Sequence, residues 1–204
     1  MLLGFAFVDS AQALDPGRSL FQYNCQTWRR ANGLPANGIN AIAQTRDGRL
    51  WLGTSKGLVC FDGVEFSVAR QPNGFRDLII TSLAPRSTGG LCYGLERGGF
   101  GTFDGKQFHP AERLEWTQPS VSMHAMAEGR DGTILLAGNA LAGRLTDPNT
   151  LHSLLPTTSA DVFSLCEDGR GRIWMGTAEH GLFYWLNGRL VSFPDKTLRN
   201  GVIS

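Results

Sequence analysis

A segment of about forty residues recurs along this chain and sets the limits on its fold. The turn glycine of the segment stands at Gly48, Gly90, Gly132 and Gly171, which lie 42, 42 and 39 residues apart. A period in this range indicates a repeating unit that cannot bury its hydrophobic face alone and needs its neighbours to complete a core. The copies are expected at about residues 37–78, 79–120, 121–160 and 161–199, with the start of a further copy at 200–204.

Each copy has the pattern of four short β-strands. In the first copy, apolar and β-branched runs occupy residues 39–44, 50–54, 58–61 and 64–68, with glycine-containing turns between them. Glycine supplies the positive φ that short hairpin turns need, and no segment of helical length carries a sustained apolar stripe. Four antiparallel strands per repeat of this length are typical of a β-propeller blade. The sequence therefore predicts an all-β fold of about four propeller blades, with partial strands at both ends and an incomplete ring.

A bulky residue follows each turn glycine by three positions, at Trp51, Tyr93, Leu135 and Trp174. An aromatic side chain of this kind buries roughly 150–250 Å² and dominates an interface between sheets. We therefore expect these residues to fill the space between adjacent blades. A glycine two residues after the first of them, Gly53, would mark a close approach of the backbone, as would Gly176 in the last copy.

The first residues have features of an exported protein. Residues 2–8 form a short apolar core, and Ala-Gln-Ala at 11–13 matches the small-residue pattern of a cleavage site. The positively charged segment that usually precedes the apolar core of a secretory signal is missing. We expect residues 1–13 to be the remnant of a secretory signal and residues 14–204 to be a partial propeller, located in the periplasm or outside the cell. A frayed apolar terminus or a mispredicted start codon is the alternative interpretation of residues 1–13.

Both ends of the repeat array are expected to be parts of one further blade. The Asn-Gly-Val of residues 200–202 repeats the Asn-Gly-Ile at the start of the first copy, and residues 21–28 have the composition of a lone strand. Together they would supply the first and last strands of that blade without its middle strands. Such an array leaves open strand edges, which favour aggregation or pairing with a partner.

The composition narrows the range of partners. The chain has 204 residues, 42% of them hydrophobic, and a formal net charge of +1. Because Asp and Glu are interspersed with Lys and Arg, no basic face for nucleic acid is expected. No run of 18 or more apolar residues is present, so no membrane span is expected.

The four cysteines do not have the spacing of a metal site. Cys25, Cys60, Cys92 and Cys166 include no Cys-x-x-Cys pair. Buried free thiols are the favoured interpretation, because cysteine often packs as a small hydrophobic residue. A disulfide between Cys60 and Cys92, from adjacent blades, is the alternative. No cofactor is expected.

The motifs of the first copy form a specific run. They are Gly-Leu-Pro at 33–35, Asp-Gly at 47–48, Leu-Trp-Leu-Gly-Thr at 50–54 and Gly-Leu-Val-Cys-Phe-Asp-Gly at 57–63. This run resembles the two-component regulator propeller repeats, which form the extracytoplasmic sensor region of bacterial hybrid histidine kinases and some diguanylate cyclases. The resemblance is strong over 28–66 and 167–188 and weak between them.

The resemblance implies a sensor. In that family the propeller binds an environmental ligand, often described as a carbohydrate, and passes the signal to a cytoplasmic output domain. The partners it implies are a small molecule or glycan, further blades and an output domain of the same longer protein. No transmembrane helix or kinase core lies within these 204 residues.

Strand alternation predicts where a ligand would bind. The Asp-Gly turns join strands one to two and three to four, so they share one face, while the second-to-third loops and the links between blades share the other. Varied polar residues on loops of a rigid scaffold are where binding usually occurs. The candidate ligand-binding residues on that variable face are Asn37, Lys56, Arg76, Arg97, His124, Asp161, Glu179 and His180.

No catalytic residue is expected. The four histidines fall at different places in their repeats, and Asp62 and Asp104 occupy equivalent turn positions rather than opposite sides of a cleft, as a glycoside hydrolase would need. We expect both aspartates to be turn formers. The leading hypothesis is a non-enzymatic ligand-sensing propeller. The alternatives are a protein-interaction platform without a small ligand and a propeller enzyme of the sialidase or polysaccharide-lyase kind.

Overall fold

The structure is a computed structural model that describes residues 19–22, 25–70, 78–110, 121–147, 150–155 and 160–193. Within these residues, strands account for nearly all regular structure. The exceptions are two single-turn 3₁₀ helices, Leu20–Gln22 and Arg30–Asn32. The strands form four antiparallel sheets of four, each in sequential order.

The strands of each sheet are consecutive in the chain, so each sheet is one blade. Blade 1 comprises β1 (Ile39–Gln44), β2 (Leu50–Thr54), β3 (Gly57–Phe61) and β4 (Phe66–Val68). Blade 2 comprises β5 (Ile80–Pro85), β6 (Leu91–Leu95), β7 (Phe100–Phe103) and β8 (Phe108–Pro110). Blade 3 comprises β9 (Met123–Glu128), β10 (Ile134–Gly138), β11 (Leu141–Asp147) and β12 (Thr150–Ser153). Blade 4 comprises β13 (Val162–Glu167), β14 (Ile173–Thr177), β15 (Leu182–Leu186) and β16 (Arg189–Ser192).

The blades form an open arc around their first strands. Strand β1 contacts β5, β5 contacts β9, and β9 contacts β13. No comparable contact joins β1 to β13 in the part of the chain that the structure describes. The prediction of an incomplete β-propeller is therefore confirmed.

Each blade has a forward face, toward the next blade in the chain, and a backward face. Side chains alternate between these faces along a strand. Trp51, Leu58 and Cys60 lie on the forward face of blade 1, where they pack with Ile80 and Tyr93 of blade 2. Two further clusters join blade 2 to blade 3 and blade 3 to blade 4. The core is thus a series of layers between blades.

The structure corrects the predicted equivalence of Trp51 and Tyr93. In blade 1, Trp51 pairs with Ala43 of β1, whereas in blade 2 the residue at the same place in the ladder is Cys92, which pairs with Ala84. The turn glycine equivalent to Gly48 is accordingly Gly89 rather than Gly90, as the hydrogen bonds that close the two turns show. The steps between turn glycines become 41, 43 and 39 residues.

This shift of one residue reverses the direction of a large side chain, because neighbouring strand positions face opposite ways. Tyr93 points backward to blade 1, and Cys92 points forward into the cluster shared with blade 3. Leu135 and Trp174 keep the forward position that the sequence predicts. The interface between blades 1 and 2 therefore receives aromatic rings from both sides, with Trp51 5.1 Å from Phe103 between ring centroids.

The strand predicted for residues 21–28 is absent from the part of that segment that the structure describes. Residues 25–29 have no regular structure. Trp28 instead packs edge-on against Phe61 and Phe66, with ring centroids 5.0 and 6.0 Å apart, and covers the backward face of blade 1 together with Leu34. Among the described strands none pairs with residues 25–29, and this segment contributes the side chain of Trp28 to the core.

The fourth strand of blade 1 is shorter than predicted, beginning at Phe66 instead of residue 64. Asp62 Oδ1 accepts hydrogen bonds from the backbone N–H groups of Val64 and Glu65, both at 2.9 Å. This turn keeps the two residues out of the ladder. Asp104 accepts equivalent bonds from Lys106 and Gln107 in blade 2, each at 2.8 Å. Both aspartates are therefore turn formers, as predicted.

The four cysteines are free thiols, and the disulfide alternative is wrong. Cys60 faces blade 2, whereas Cys92 faces blade 3, so the two side chains belong to different core layers. Cys25 and Cys166 are exposed. Burial raises the pKa of Cys92 to about 11 and also raises the pKa of Cys60.

Removal of Trp51 should destabilise the protein far more than removal of Trp174, although the two occupy equivalent places. Trp51 is covered by blade 2 and is 5% exposed, so W51A should lower the free energy of unfolding by about 3–5 kcal/mol. Trp174 lies on the forward face of blade 4, which no described strand covers. W174A should lower the free energy of unfolding by less than half as much, as measured by urea denaturation. Equal losses would contradict the layered core.

Substitution of Gly53 by alanine should also destabilise the chain. An added Cβ would lie 2.8 Å from Ile80 Cγ2 and 3.3 Å from the Ile80 carbonyl oxygen of the next blade. Overpacking of this kind costs about 1–3 kcal/mol, which urea denaturation would detect. Gly38 is the matched control, because a Cβ there meets nothing within 4 Å. A result in which G53A is as stable as G38A would show that blades 1 and 2 are not in close contact.

Thiol labelling should separate the cysteines into two classes. At pH 8 the native chain should react with iodoacetamide at Cys25 and Cys166, since a buried thiol with a raised pKa supplies little thiolate. Cys60 and Cys92 should react only after unfolding in urea, as peptide mass spectrometry would show. Native-state labelling of Cys92 as fast as that of Cys166 would be incompatible with its place between blades 2 and 3.

Candidate functional site

The two ends of the blades differ in character. We call the end that carries the turns between first and second strands and between third and fourth strands the Asp-Gly face. The opposite end carries the links that enter each blade and the loops between second and third strands, and we call it the loop face. The second-to-third loops comprise residues 55–56, 96–99, 139–140 and 178–181.

Buried threonines build two of the loops on the loop face. The Thr54 hydroxyl donates to the Gly57 carbonyl at 2.9 Å and accepts from the Lys56 N–H at 3.0 Å. Thr177 does the same in blade 4, donating to Gly181 and accepting from the His180 N–H. These bonds satisfy a buried hydroxyl and fix the loop backbone. The repeated Gly-Thr of the motif was the sequence signal for this role, which the sequence analysis missed.

Two predicted ligand-binding residues are engaged within the fold. Asn37 Oδ1 accepts from the Arg30 N–H at 3.2 Å, which fixes the link into blade 1. Asp161 Oδ1 accepts from the Ala140 N–H at 3.0 Å, and the Asp161 carbonyl accepts from the Ala178 N–H at 3.1 Å. Asp161 therefore ties the loop of blade 3 to the loop of blade 4.

His124 lies on the innermost strand rather than on a link. It is the extra residue of a β-bulge in β9, and its ring stacks on Phe163 of blade 4 with 4.3 Å between centroids. Asn40 and Thr81 are the equivalent bulge residues of β1 and β5. Asn40 joins blade 1 to blade 2 by donating to the Ile80 carbonyl at 2.9 Å, and Thr81 joins blade 2 to blade 3 by donating to the Met123 carbonyl at 2.5 Å. His124 is thus one of a series of side chains that reach from one blade to the next. Its Nδ1 is buried and has no hydrogen-bond partner among the described residues.

The remaining described candidates are exposed on the loop face. Lys56 is in the loop of blade 1, Arg97 in that of blade 2, and Glu179 and His180 in that of blade 4. Asp161 connects the loops of blades 3 and 4 through its bonds to Ala140 and Ala178. Arg76 lies outside the described residues. The loop face thus presents charged groups of both signs on an anchored backbone.

The carboxylates of the Asp-Gly face are not suited to donate protons. Hydrogen bonds from His109, Arg144 and Trp174 hold the pKa values of Asp104, Asp131 and Asp168, respectively, well below their usual range. A general acid near neutral pH needs a raised pKa instead. These three groups are therefore ionised turn acceptors.

A cleft of about 340 Å³ opens on the Asp-Gly face between the outer parts of blades 1 and 2. Buried Trp51 and Phe103 are among the residues that line it. The repeated Asp-Gly turns predicted a structural role for this face, and the cleft could not be predicted from them because its lining comes from two copies of the repeat. Its polar lining residues are Arg49, Cys60, Asp62, Ser67, Arg70 and Lys106.

The described residues contain neither a candidate metal site nor a candidate membrane-spanning helix. No group of three His, Cys, Asp or Glu side chains there is placed to hold a metal ion. Among the helices of the same residues, none has the length and apolar character needed to cross a membrane.

The chain matches a protein-family model over two of its segments. The model of the two component regulator propeller matches residues 33–56 and 158–179, which span the second strands of blades 1 and 4. A search of the curated proteins found no match.

The fold is similar to that of several solved propellers. The extracellular domain of a putative hybrid two component system from B. thetaiotaomicron has a TM-score of 0.63 and 19% identity over 84% of this chain and 24% of that chain. A catalytically inactive virginiamycin B lyase from Staphylococcus aureus with quinupristin has a TM-score of 0.66 and 14% identity over 81% of this chain and 60% of that one. YCF48 bound to D1 peptide has a TM-score of 0.50 and 13% identity over 79% of this chain and 67% of that chain. At these identities the similarity establishes the fold alone, and this chain spans about a quarter of the extracellular domain and 60% of the lyase.

Proposed function

Because this chain contains two-component regulator propeller repeats, we propose that it is a ligand-sensing segment of a two-component signalling protein. The observation that carries the proposal is the family match at the same part of the repeat in blades 1 and 4. In this proposal the blades bind a ligand without transforming it. Further blades and an output domain of the same longer protein complete the signalling unit.

We propose an extracytoplasmic location for the segment. The similar two-component structure from B. thetaiotaomicron is an extracellular domain. The signal-like pattern at residues 1–13 supports the same location, and these residues lie outside the described part of the chain. A ligand present outside the cytoplasm would then reach the loop face directly.

We propose that the loop face binds a carbohydrate. Its exposed Lys56, Arg97, Glu179 and His180 offer both donors and acceptors, the combination that sugar hydroxyl groups need. The buried hydroxyls of Thr54 and Thr177 and the carboxylate of Asp161 hold the loops in place, so little ordering is needed on binding.

Two alternatives remain from the sequence analysis. A protein-interaction platform fits the same exposed loops, and the similar propeller YCF48 was solved bound to a peptide. A propeller enzyme is consistent with the similarity to virginiamycin B lyase. Product formation would identify the enzyme, and failure of every glycan to bind would favour the platform.

The direct test of sensing is a binding screen of the chain against neutral and acidic oligosaccharides by isothermal titration calorimetry. At least one glycan should bind without being converted, as chromatography of the mixture would confirm. R97A and E179A should each weaken that binding about tenfold, the usual effect of losing one central polar contact.

Arg46 supplies the control for this test, since it is exposed on the Asp-Gly face. R46A should leave glycan affinity unchanged. The carbohydrate proposal fails if no glycan binds. The assignment to the loop face fails if R46A weakens binding as much as R97A does.

A further inference from the structure

The cleft between blades 1 and 2 concentrates positive charge. Arg49, Arg70 and Lys106 contribute three cations to its lining, and Asp62 contributes the single carboxylate. Arg49 also lies 3.6 Å from Asp47, between Nη1 and Oδ2, with both side chains about half exposed. Arg70 and Lys106 have no ion-pair partner among the described residues. The whole chain carries a net charge of only +1, so this local excess is not a general property of the surface.

At the other two interfaces, a glutamate at the end of the first strand connects the blade to the turn of the preceding blade. Glu128 lies 3.7 Å from Arg86 and accepts from the backbone N–H of Ser87 at 2.5 Å, which joins blade 3 to the turn of blade 2. Glu167 accepts from the Arg130 N–H at 3.0 Å and joins blade 4 to the turn of blade 3 in the same way.

The interface of blades 1 and 2 lacks this connection. The residue of β5 at the position of Glu128 and Glu167 is Pro85, as the strand pairing shows. Its side chain cannot accept a hydrogen bond. The cationic groups on this side of blade 1 therefore meet no carboxylate from the first strand of blade 2.

The lining of the cleft also includes groups that can bind hydroxyls. Asp62 uses Oδ1 for both bonds within its turn, and its Oδ2 has no hydrogen-bond partner among the described residues. Ser67 presents an exposed hydroxyl from β4. A carboxylate in the lining repels a compact multivalent anion but accepts hydrogen bonds from a ligand's hydroxyl groups. The volume of about 340 Å³ suits a ligand of one sugar ring, at the small end of ligand pockets.

We propose that this cleft is a second binding site, separate from the loop face, for a small polyhydroxylated carboxylate of the size of one sugar-acid ring. Arg49, Arg70 and Lys106 bind its carboxylate. Asp62 Oδ2 and Ser67 Oγ bind its hydroxyl groups. The site joins residues of blades 1 and 2.

The test is calorimetric titration of the chain with D-glucuronate and D-galacturonate. At least one of them should bind, with an affinity that falls as sodium chloride rises, because the attraction is ionic. D-Glucose and D-galactose should bind at least tenfold more weakly, since they lack the carboxylate. Binding of the neutral sugars as tightly as the acids would overturn the role of the cations, and failure of both acids to bind would overturn the site.

Competition by inorganic sulfate distinguishes a pocket that recognises the sugar acid from a site that attracts any anion. If sulfate competes with the sugar acids at equal concentration, the cleft is an adventitious ion site only and the proposal is wrong. The variant D62N tests the role of the Asp62 carboxylate. The oxygen of the new amide can still accept the hydrogen bonds from the Val64 and Glu65 N–H groups, whereas its NH₂ group replaces Oδ2 with a hydrogen-bond donor. D62N should weaken sugar-acid binding and strengthen sulfate binding. A variant that binds both more tightly would contradict hydroxyl recognition by Asp62.

Arginine variants locate the site. R49Q and R70Q should each weaken sugar-acid binding about tenfold, as expected for the loss of one charge-assisted hydrogen bond. R46Q, a change of the same charge on the same turn but outside the cleft, should leave the affinity within twofold. All three side chains are exposed, so the thermal midpoints should match that of the wild type. Equal weakening by R46Q and R49Q would refute the cleft as the site.

Variants of the two sites distinguish ligand binding at the cleft from ligand binding at the proposed carbohydrate site on the loop face. R97A and E179A should leave sugar-acid affinity in the cleft unchanged, whereas R49Q should leave glycan binding at the loop face unchanged. If R97A abolishes sugar-acid binding and R49Q does not, the ligand occupies the loop face and the cleft proposal falls alone.

Discussion

The structure depends on the burial of two apolar faces of every blade. A four-stranded sheet in water covers neither face by itself, and the side chains of its second strand alternate between them. In blade 1, Trp51 points forward and Leu52 points backward, and both are buried. Blade 2 covers the first, and the segment with Trp28 and Leu34 covers the second. Blade order, close approach at Gly53 and the arc of first strands all follow from this requirement.

Much of the architecture could be predicted from the period, because turn chemistry and strand alternation are local properties. The strands at 39–44 and 50–54 and the turn roles of Asp62 and Asp104 required only the sequence. The second copy was aligned wrongly because it contains two adjacent glycines, Gly89 and Gly90, both with positive φ. A one-residue choice between them decides which face a side chain occupies. Only the hydrogen bonds of the folded turn identify the equivalent glycine.

The functional surface was less predictable for a different reason. The second-to-third loops could be found because they differ between copies, yet Asp161 and Asn37 prove to hold backbone groups of other segments. No sequence pattern indicates those partners, which lie 21 residues from Asp161 and 7 residues from Asn37. The cleft with Arg49 and Lys106 arises between two blades, so no single copy of the repeat contains its pattern. Function in such a scaffold is expected where the copies differ, on loops or at one interface.

The orientation of Tyr93 tests the account most directly, because it distinguishes the layered core from the simple 42-residue alignment. An NMR experiment on the chain with selectively labelled aromatic and methyl groups would measure contacts of the Tyr93 ring. The account predicts nuclear Overhauser effects from Tyr93 to the Leu58 methyl groups of blade 1. Effects from Tyr93 to Met126 and Leu136 of blade 3 would show that it points forward and would contradict the account.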